Sequence, residues 1–210
     1  MYAMGANFGD LDNDGWLDCY IGTGAPDFST VVPNRMFRSV NGERFEEVTS
    51  AGNFGHIQKG HAVGFADLDR DGDQDIYEVM GGANAGARFP NILYDNPTQG
   101  QNWVVIELVG NTSNRRGQGC RIAVELTDGR TLYRTVGTGG SFGANSLQTE
   151  IGVGDAEIEQ VRVTWTNGEI QTFDSVPVNG KVEMTEGNKK MKRLPYSPIG
   201  FRKGEMENCH

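Results

Sequence analysis

The chain has 210 residues, 30 of them glycine, a hydrophobic fraction of 37% and a formal charge of −9. That length supports one large or two modest domains with real cores, and the acid excess disfavours nucleic acid and anionic lipid while attracting small cations. No apolar run approaches the ~20 residues of a membrane span, and Met1 leads into YAMGANFGD with no basic or apolar leader, so the sequence reads as soluble and without a visible address.

The apolar residues fall in short runs rich in Val, Ile, Tyr, Phe and Trp, punctuated by Gly, Asn and Asp. This pattern predicts an all-β fold with many turns. The charge is uneven: residues 1–101 hold fifteen acidic and six basic side chains, whereas residues 102–210 hold thirteen of each. The acid excess therefore belongs to the first half.

The first element is FGDLDNDGWLD, Phe8 to Asp18, leading into the strand-like DCYIG. A second copy, FADLDRDGDQD from Phe65 to Asp75, leads into DIYEVM. At one constant offset Phe8 matches Phe65, Asp10 Asp67, Asp12 Asp69, Asp14 Asp71, Gly15 Gly72, Asp18 Asp75 and Tyr20 Tyr77. The register continues, with PNRMF from Pro33 falling on PNILY from Pro90. A shared offset over separated motifs indicates a duplicated unit. Each copy is predicted to run strand, acidic loop, strand, then a turn and further short strands such as RFEEV, over about residues 5–50 and 60–100.

The loop spacing carries a chemistry. In D-x-D-x-D-G-x-x-D the carboxylates at positions 1, 3, 5 and 9 are expected to converge, with the glycine at position 6 permitting the bend. The candidate ligands are Asp10, Asp12, Asp14 and Asp18 with the carbonyl of Trp16, and Asp67, Asp69, Asp71 and Asp75 with the carbonyl of Asp73. Carboxylates so close repel one another unless a cation sits among them. Several hard, flexibly arranged oxygens suit Ca2+ better than Mg2+, and the absence of Cys or His at ligand spacing argues against zinc. A solvated Asx-rich turn would explain one such stretch; a full-length pair argues for two ions. The second loop also fits an EF-hand pattern with Glu78 at position 12. Its flanks, GHAVGF and IYEVMGG, read as strands and not helices, and the first loop has Ile21 at that position.

From residue 102 to 187 the pattern is again β, with apolar or alternating segments at 103–109, 119–126, 130–136, 158–166, 169–173 and 181–185. Asp128-Gly129, Asn167-Gly168 and Asn179-Gly180 offer the positive φ angles of tight hairpins, and a β-sandwich is the expected outcome. NTSNRRGQG (111–119) and GTGGSFGANS (137–146) are polar, Gly-rich loops, open to either a binding or a merely mobile role. The second lacks the strand-to-helix setting of a phosphate cradle. Beyond Gly187 the chain is expected to be an extended or poorly ordered tail, 188–210. Cys19, Cys120 and Cys209 are too few and too scattered for a disulfide framework. Cys19 and Cys120 are expected as buried thiols, with a single bridge left open. His56, His61 and His210 are the only histidines, and a structural role is expected for His61.

The two repeats resemble FG-GAP or VCBS-type units, the blades of calcium-binding β-propellers of the integrin-alpha kind. The residues NWVVIELVGNTSNRRGQGCRIAV (102–124), SLQTEIGVG (146–154) and VRVTWTNGEIQTF (161–173) resemble the ASPIC/UnbV domain of proteins similar to cartilage acidic protein. Cys120, EIGVG and Thr166 depart from the usual small residue, FGLG and proline of that domain. The resemblance implies two propeller-blade-like repeats followed by a C-terminal β-sandwich-like domain.

The functional expectation is a calcium-binding extracellular or periplasmic interaction module. It would hold two structural Ca2+ ions and recognise a protein or glycan ligand, with no nucleic acid and no membrane span. Two blades cannot close a propeller, so the chain is expected to be part of a larger protein or to associate through exposed strand edges. The alternative is a metal-dependent enzyme, or an accessory protein of natural-product biosynthesis, that uses the Asp clusters.

Overall fold

The computed structural model describes residues 2–24, 32–57, 59–82, 89–97 and 100–201. Cys209, His210 and the last part of the expected tail lie outside them. Among the described residues every regular element is a strand, and the all-β expectation holds.

The duplication is literal. β1 (Ala3–Gly9), β2 (Asp18–Thr23), β3 (Arg35–Val40) and β4 (Arg44–Glu47) form one antiparallel sheet. β5 (Gly60–Ala66), β6 (Asp75–Met80) and β7 (Ile92–Tyr94) form the second. β5 and β6 begin and end at the sequence offset of the repeat from β1 and β2, and the cross-strand pair Phe8–Cys19 recurs as Phe65–Ile76. The second sheet has no counterpart of β4. At the corresponding point the chain enters β8 (Asn102–Val109) and leaves the repeat.

The two blade-like sheets pack face to face around Tyr20, Met36, Val63, Phe65 and Ile76, all buried. Burying such side chains is worth about 1.5–3 kcal/mol each, which lets two small sheets hold together. Tyr20 also brings its hydroxyl to Glu78 Oε2 at 2.9 Å and to the Phe54 carbonyl at 3.1 Å, so its polar tip is satisfied where its ring is buried.

The rest of the chain is a sandwich of two four-stranded sheets. One is ordered β10 (Thr131–Thr135), β9 (Arg121–Leu126), β12 (Ile158–Thr164), β13 (Ile170–Asp174). The other is ordered β11 (Thr149–Gly154), β8, β14 (Gly180–Thr185), β15 (Lys192–Leu194). Inward residues of both sheets, among them Ile106, Val124, Ile151, Val163, Trp165 and Met184, make one continuous core.

Gly129 and Gly168 take positive φ in the β9–β10 and β12–β13 hairpins, as expected. The third dipeptide does not make a hairpin. Asn179, at φ 56°, donates its N–H to the Trp103 carbonyl and feeds β14 into parallel pairing with β8. Two further segments are placed by contacts that the sequence does not specify. Residues 188–194 are part of the sandwich, because β15 pairs with β14. The 137–146 loop is docked on the blades: Ala6 and Ser141 exchange backbone hydrogen bonds of 3.2 and 2.8 Å, and Asn145 accepts from the Phe65 N–H and donates to the Phe8 carbonyl. It covers β1 and β5 along edges that would otherwise carry unpaired amides. His61 packs its ring on Phe142 of the same loop, 4.8 Å between centroids. The other polar loop is tied down by Glu186, whose carboxylate accepts the N–H groups of Asn111, Thr112 and Ser113. Burial works against that charge, but these bonds and the Thr112 hydroxyl hold its pKa down at about 2. Cys19 and Cys120 are buried free thiols.

Candidate metal centres

Each acidic loop joins the first and second strand of its sheet, and both adopt one conformation. Gly15 and Gly72 sit at φ +96° and +105°, the left-handed region that a side chain resists. Asn13 and Arg70, two residues earlier, are left-handed as well. The internal bonds repeat. Gly15 donates to Asp10 Oδ2 at 3.0 Å and Gly72 to Asp67 Oδ2 at 3.1 Å. Trp16 donates to Asp14 Oδ1 and Asp73 to Asp71 Oδ1.

This winding brings one carboxylate oxygen each from Asp10, Asp12 and Asp14 within 4.8 Å of one another, and does the same for Asp67, Asp69 and Asp71. Position 9 behaves differently. Asp18 accepts the Leu11 N–H at 2.9 Å with one oxygen and the Ser39 N–H at 2.8 Å with the other. Asp75 accepts from Leu68 and Asn96 in the same way. These two carboxylates tether the loop to its sheet, and they stand outside the three-carboxylate groups. The sequence expected all four to converge; backbone amides claim the fourth.

Burial makes the charge costly. It pushes the Asp10 pKa up to about 7, against the pull of Arg134 and with help from Asp14, Asp18 and Asp12. Burial likewise raises Asp18 to about 7, against bonds from Ser39 and Leu11, and Asp75 to about 6. Asp67 rises to about 6 by burial, opposed by a hydrogen bond from the Tyr196 hydroxyl and reinforced by Glu150. Asp73 rises to about 8, by burial and then by Asp71, Asp75, Asp67 and Asp69. Four carboxylate oxygens, Asp10 Oδ1, Asp12 Oδ1 and both of Asp73, are buried with no hydrogen-bond partner. Native interiors avoid such groups, and an all-oxygen donor set with unmatched negative charge fits a hard cation. The Asp clusters can hold a metal ion.

Both loops lie against the sandwich, which the sequence did not signal. Asp10 Oδ2 accepts the Gly152 N–H, the Asn13 carbonyl accepts the Gly154 N–H, and Arg130 and Arg134 donate to the carbonyls of Asp14 and Gly15. Gln74 donates to Glu150 Oε2 at 2.7 Å and accepts the Asp10 N–H at 2.7 Å. Asn13 Nδ2 reaches the Gly72 carbonyl and so joins the two loops directly. The chain after β15 returns over the second loop: the Tyr196 hydroxyl donates to Asp67 Oδ2, and the Ile199 N–H to the Asp69 carbonyl. Arg134, Glu150 and Tyr196 sit in ordinary strand or tail contexts in the sequence, with no repeat to mark them, and Gln74 takes a place in the second loop where the first has Leu17. Only the fold shows that they surround the acidic loops.

Comparison with known families agrees with this organisation. Residues 10–78 match the family model of the FG-GAP-like repeat, and residues 110–191 match that of ASPIC and UnbV. A search of curated proteins found no match. No helix long and apolar enough to cross a membrane occurs among the described residues.

Proposed function

We propose that the chain is a calcium-stabilised interaction module that works outside the cytoplasm, in an extracellular or periplasmic setting, and recognises a protein or glycan. One observation carries the reading: two loops of identical winding each gather three carboxylates within 4.8 Å, in a fold that leaves several of their buried oxygens unpartnered. Calcium suits them because it accepts six to eight oxygens in flexible geometry, whereas Mg2+ demands a strict octahedron and keeps its water.

The residues proposed as ligands are Asp10, Asp12, Asp14 and the Trp16 carbonyl in the first loop, and Asp67, Asp69, Asp71 and the Asp73 carbonyl in the second. Asp18 and Asp75 fix the loops in place. Each ion would cancel the mutual repulsion of its carboxylates and so fasten a loop that touches both blades and the sandwich. The role is structural, because the loops knit sheets together through the backbone amides of Leu11, Ser39 and Gly152 and the side-chain amide of Asn13. The affinities of such loops suit calcium-rich compartments, which supports a location outside the cytoplasm. Partner recognition is left to exposed surface, including the uncovered blade faces.

Calorimetric titration of chelator-treated protein tests the metal reading. Two Ca2+ ions per chain, with Mg2+ binding at least about tenfold more weakly, are expected. Absence of Ca2+ heat, or equal affinity for Mg2+, would overturn it.

A further inference from the structure

The outer face of the β10-β9-β12-β13 sheet carries a cleft remote in chemistry from the acidic loops. Cross-strand register sets its residues in two rows. Tyr133, Ala123 and Arg162 stand opposite one another on β10, β9 and β12, and beside them stand Thr135, Arg121 and Thr164. These six residues line a cleft of about 310 Å³, the size of the smaller ligand pockets, which run from about 300 Å³ upward. Ala123 sits at the middle of its row and offers nothing beyond a Cβ, so the space between the longer side chains stays open.

The charge of the cleft runs against that of the chain. The protein carries −9 overall, yet three arginines and no acidic residue line this cleft. One of the three is already engaged: Arg134 donates to the Gly15 carbonyl in the first acidic loop at 2.9 Å. The other two belong to the outer face. Arg162 pairs with Glu125 at 3.1 Å, a solvent-exposed bridge of the kind that contributes little. Arg121 forms no ion pair among the described residues. The register makes Arg121 and Arg162 diagonal neighbours on adjacent strands, about 7–8 Å apart along the backbone, where long side chains still meet. Two like charges at that spacing repel, and an anion between them removes the repulsion.

We infer that this cleft binds the carboxylate of an acidic sugar within a polysaccharide. A guanidinium fork takes a carboxylate through two parallel hydrogen bonds. Thr135 and Thr164 supply hydroxyls that can donate to or accept from sugar hydroxyls. Tyr133, 67% exposed, presents an apolar ring with a polar tip, suited to the C–H face of a sugar. An acidic peptide shares the carboxylate, but the cleft opens on the face of the sheet, away from the β10 edge where an extended backbone would pair. The inference rests on the interaction-module reading above and names its ligand class; it does not depend on the metal.

The test is an amide NMR titration of the full chain in Ca2+ with three probes: a tetramer of glucuronic acid, the methyl ester of that tetramer, and a tetraglutamate peptide. The acid tetramer should give saturable shifts at outer-face residues of β9, β10 and β12, Ala123 and Thr135 among them. The ester should bind at least about tenfold more weakly, because charge-assisted hydrogen bonds are the strong ones. Arg121→Gln should weaken the acid tetramer about tenfold, and Arg121→Lys by less, since lysine keeps the charge and loses the fork. The Arg121→Gln melt should match the parent, as that side chain has no ion pair to lose.

No saturable shift, shifts confined to another face, or an Arg121→Gln variant that binds like the parent overturns the inference. Tetraglutamate binding as tightly as the sugar also overturns it, and makes the cleft a peptide site. Each of these results leaves the calcium sites to be judged by calorimetry, and absence of Ca2+ heat overturns the metal reading without touching this cleft.

Discussion

The two repeats share a register but not an environment. Phe8 is 47% exposed and its counterpart Phe65 is 0%; Tyr20 is 0% exposed and its counterpart Tyr77 is 42%. Each sheet therefore has a phenylalanine face and a tyrosine face, and among the described residues the tyrosine face of the first blade is covered by the phenylalanine face of the second. Burial at a repeated position is set by what lies opposite it.

The covered face is also adapted to its neighbour. Gly9 accommodates the Phe65 ring, and Gly22 lies so near Gly60 that a Cβ would stand 2.9 Å from backbone. The corresponding positions of the second blade are Ala66 and Val79. Its tyrosine face, with Tyr77, Val79 and Leu93 exposed, does not offer the same close approach.

The contrast can be broken most severely at Gly22. Gly22→Val installs in the first blade the residue the second has at that position, and it should cost about 3 kcal/mol because a backbone, not a flexible side chain, must move. Val79→Gly, the reverse exchange on the exposed face, should cost about 1 kcal/mol. Urea unfolding measures both, and equal costs would show that the blades are not apposed as described.

Glu78 offers a second contrast, since the first repeat has Ile21 at that position. Burial raises the Glu78 pKa to about 7 despite the hydrogen bond from the Tyr20 hydroxyl. A carboxyl whose folded value exceeds its unfolded one favours folding while protonated. Its contribution is complete below about pH 4.5 and declines as pH rises toward 7. At about 1.36 kcal/mol per pKa unit the decline is about 3 kcal/mol. In saturating Ca2+, Glu78→Gln should remove that part of the slope and be the more stable protein at about pH 8. Parallel curves would contradict the assignment.

A smaller effect separates the tyrosines. Tyr20→Phe removes the hydroxyl that satisfies Glu78 and should cost about 2 kcal/mol. Tyr77→Phe removes an exposed bond with Asn91 and should change stability by less than about 0.5 kcal/mol. Thermal melts of the pair provide the comparison.

Much of this architecture is legible in the sequence. The constant offset between the repeats locates both loops and four of the strands, because a turn built on glycine and aspartate leaves a local signature. The Asp128-Gly129 and Asn167-Gly168 hairpins are legible for the same reason. What escapes is non-local. Asn179-Gly180 has hairpin chemistry but opens a parallel pairing, which depends on where β8 lies. The Gly-rich 137–146 loop has the composition of a mobile segment, yet Ser141 and Asn145 complete the hydrogen bonds of β1 and β5, strands that lie far upstream in the chain. The role of Asp18 and Asp75 as tethers depends on the amides of Ser39 and Asn96, residues that no loop motif includes.

The central claim is that cations in these loops hold the fold together, and the most direct test is thermal unfolding in Ca2+, in Mg2+ and in chelator, on the parent chain and on Asp12→Ala combined with Asp69→Ala. At about 100-fold excess over its dissociation constant, an ion bound only to the folded state adds about 2.7 kcal/mol, so the parent should melt several degrees higher in Ca2+ than in chelator, with little gain from Mg2+, and the double variant should lose that gain. Identical melting in all three conditions would contradict the account and leave the paired acidic loops without the cations assigned to them.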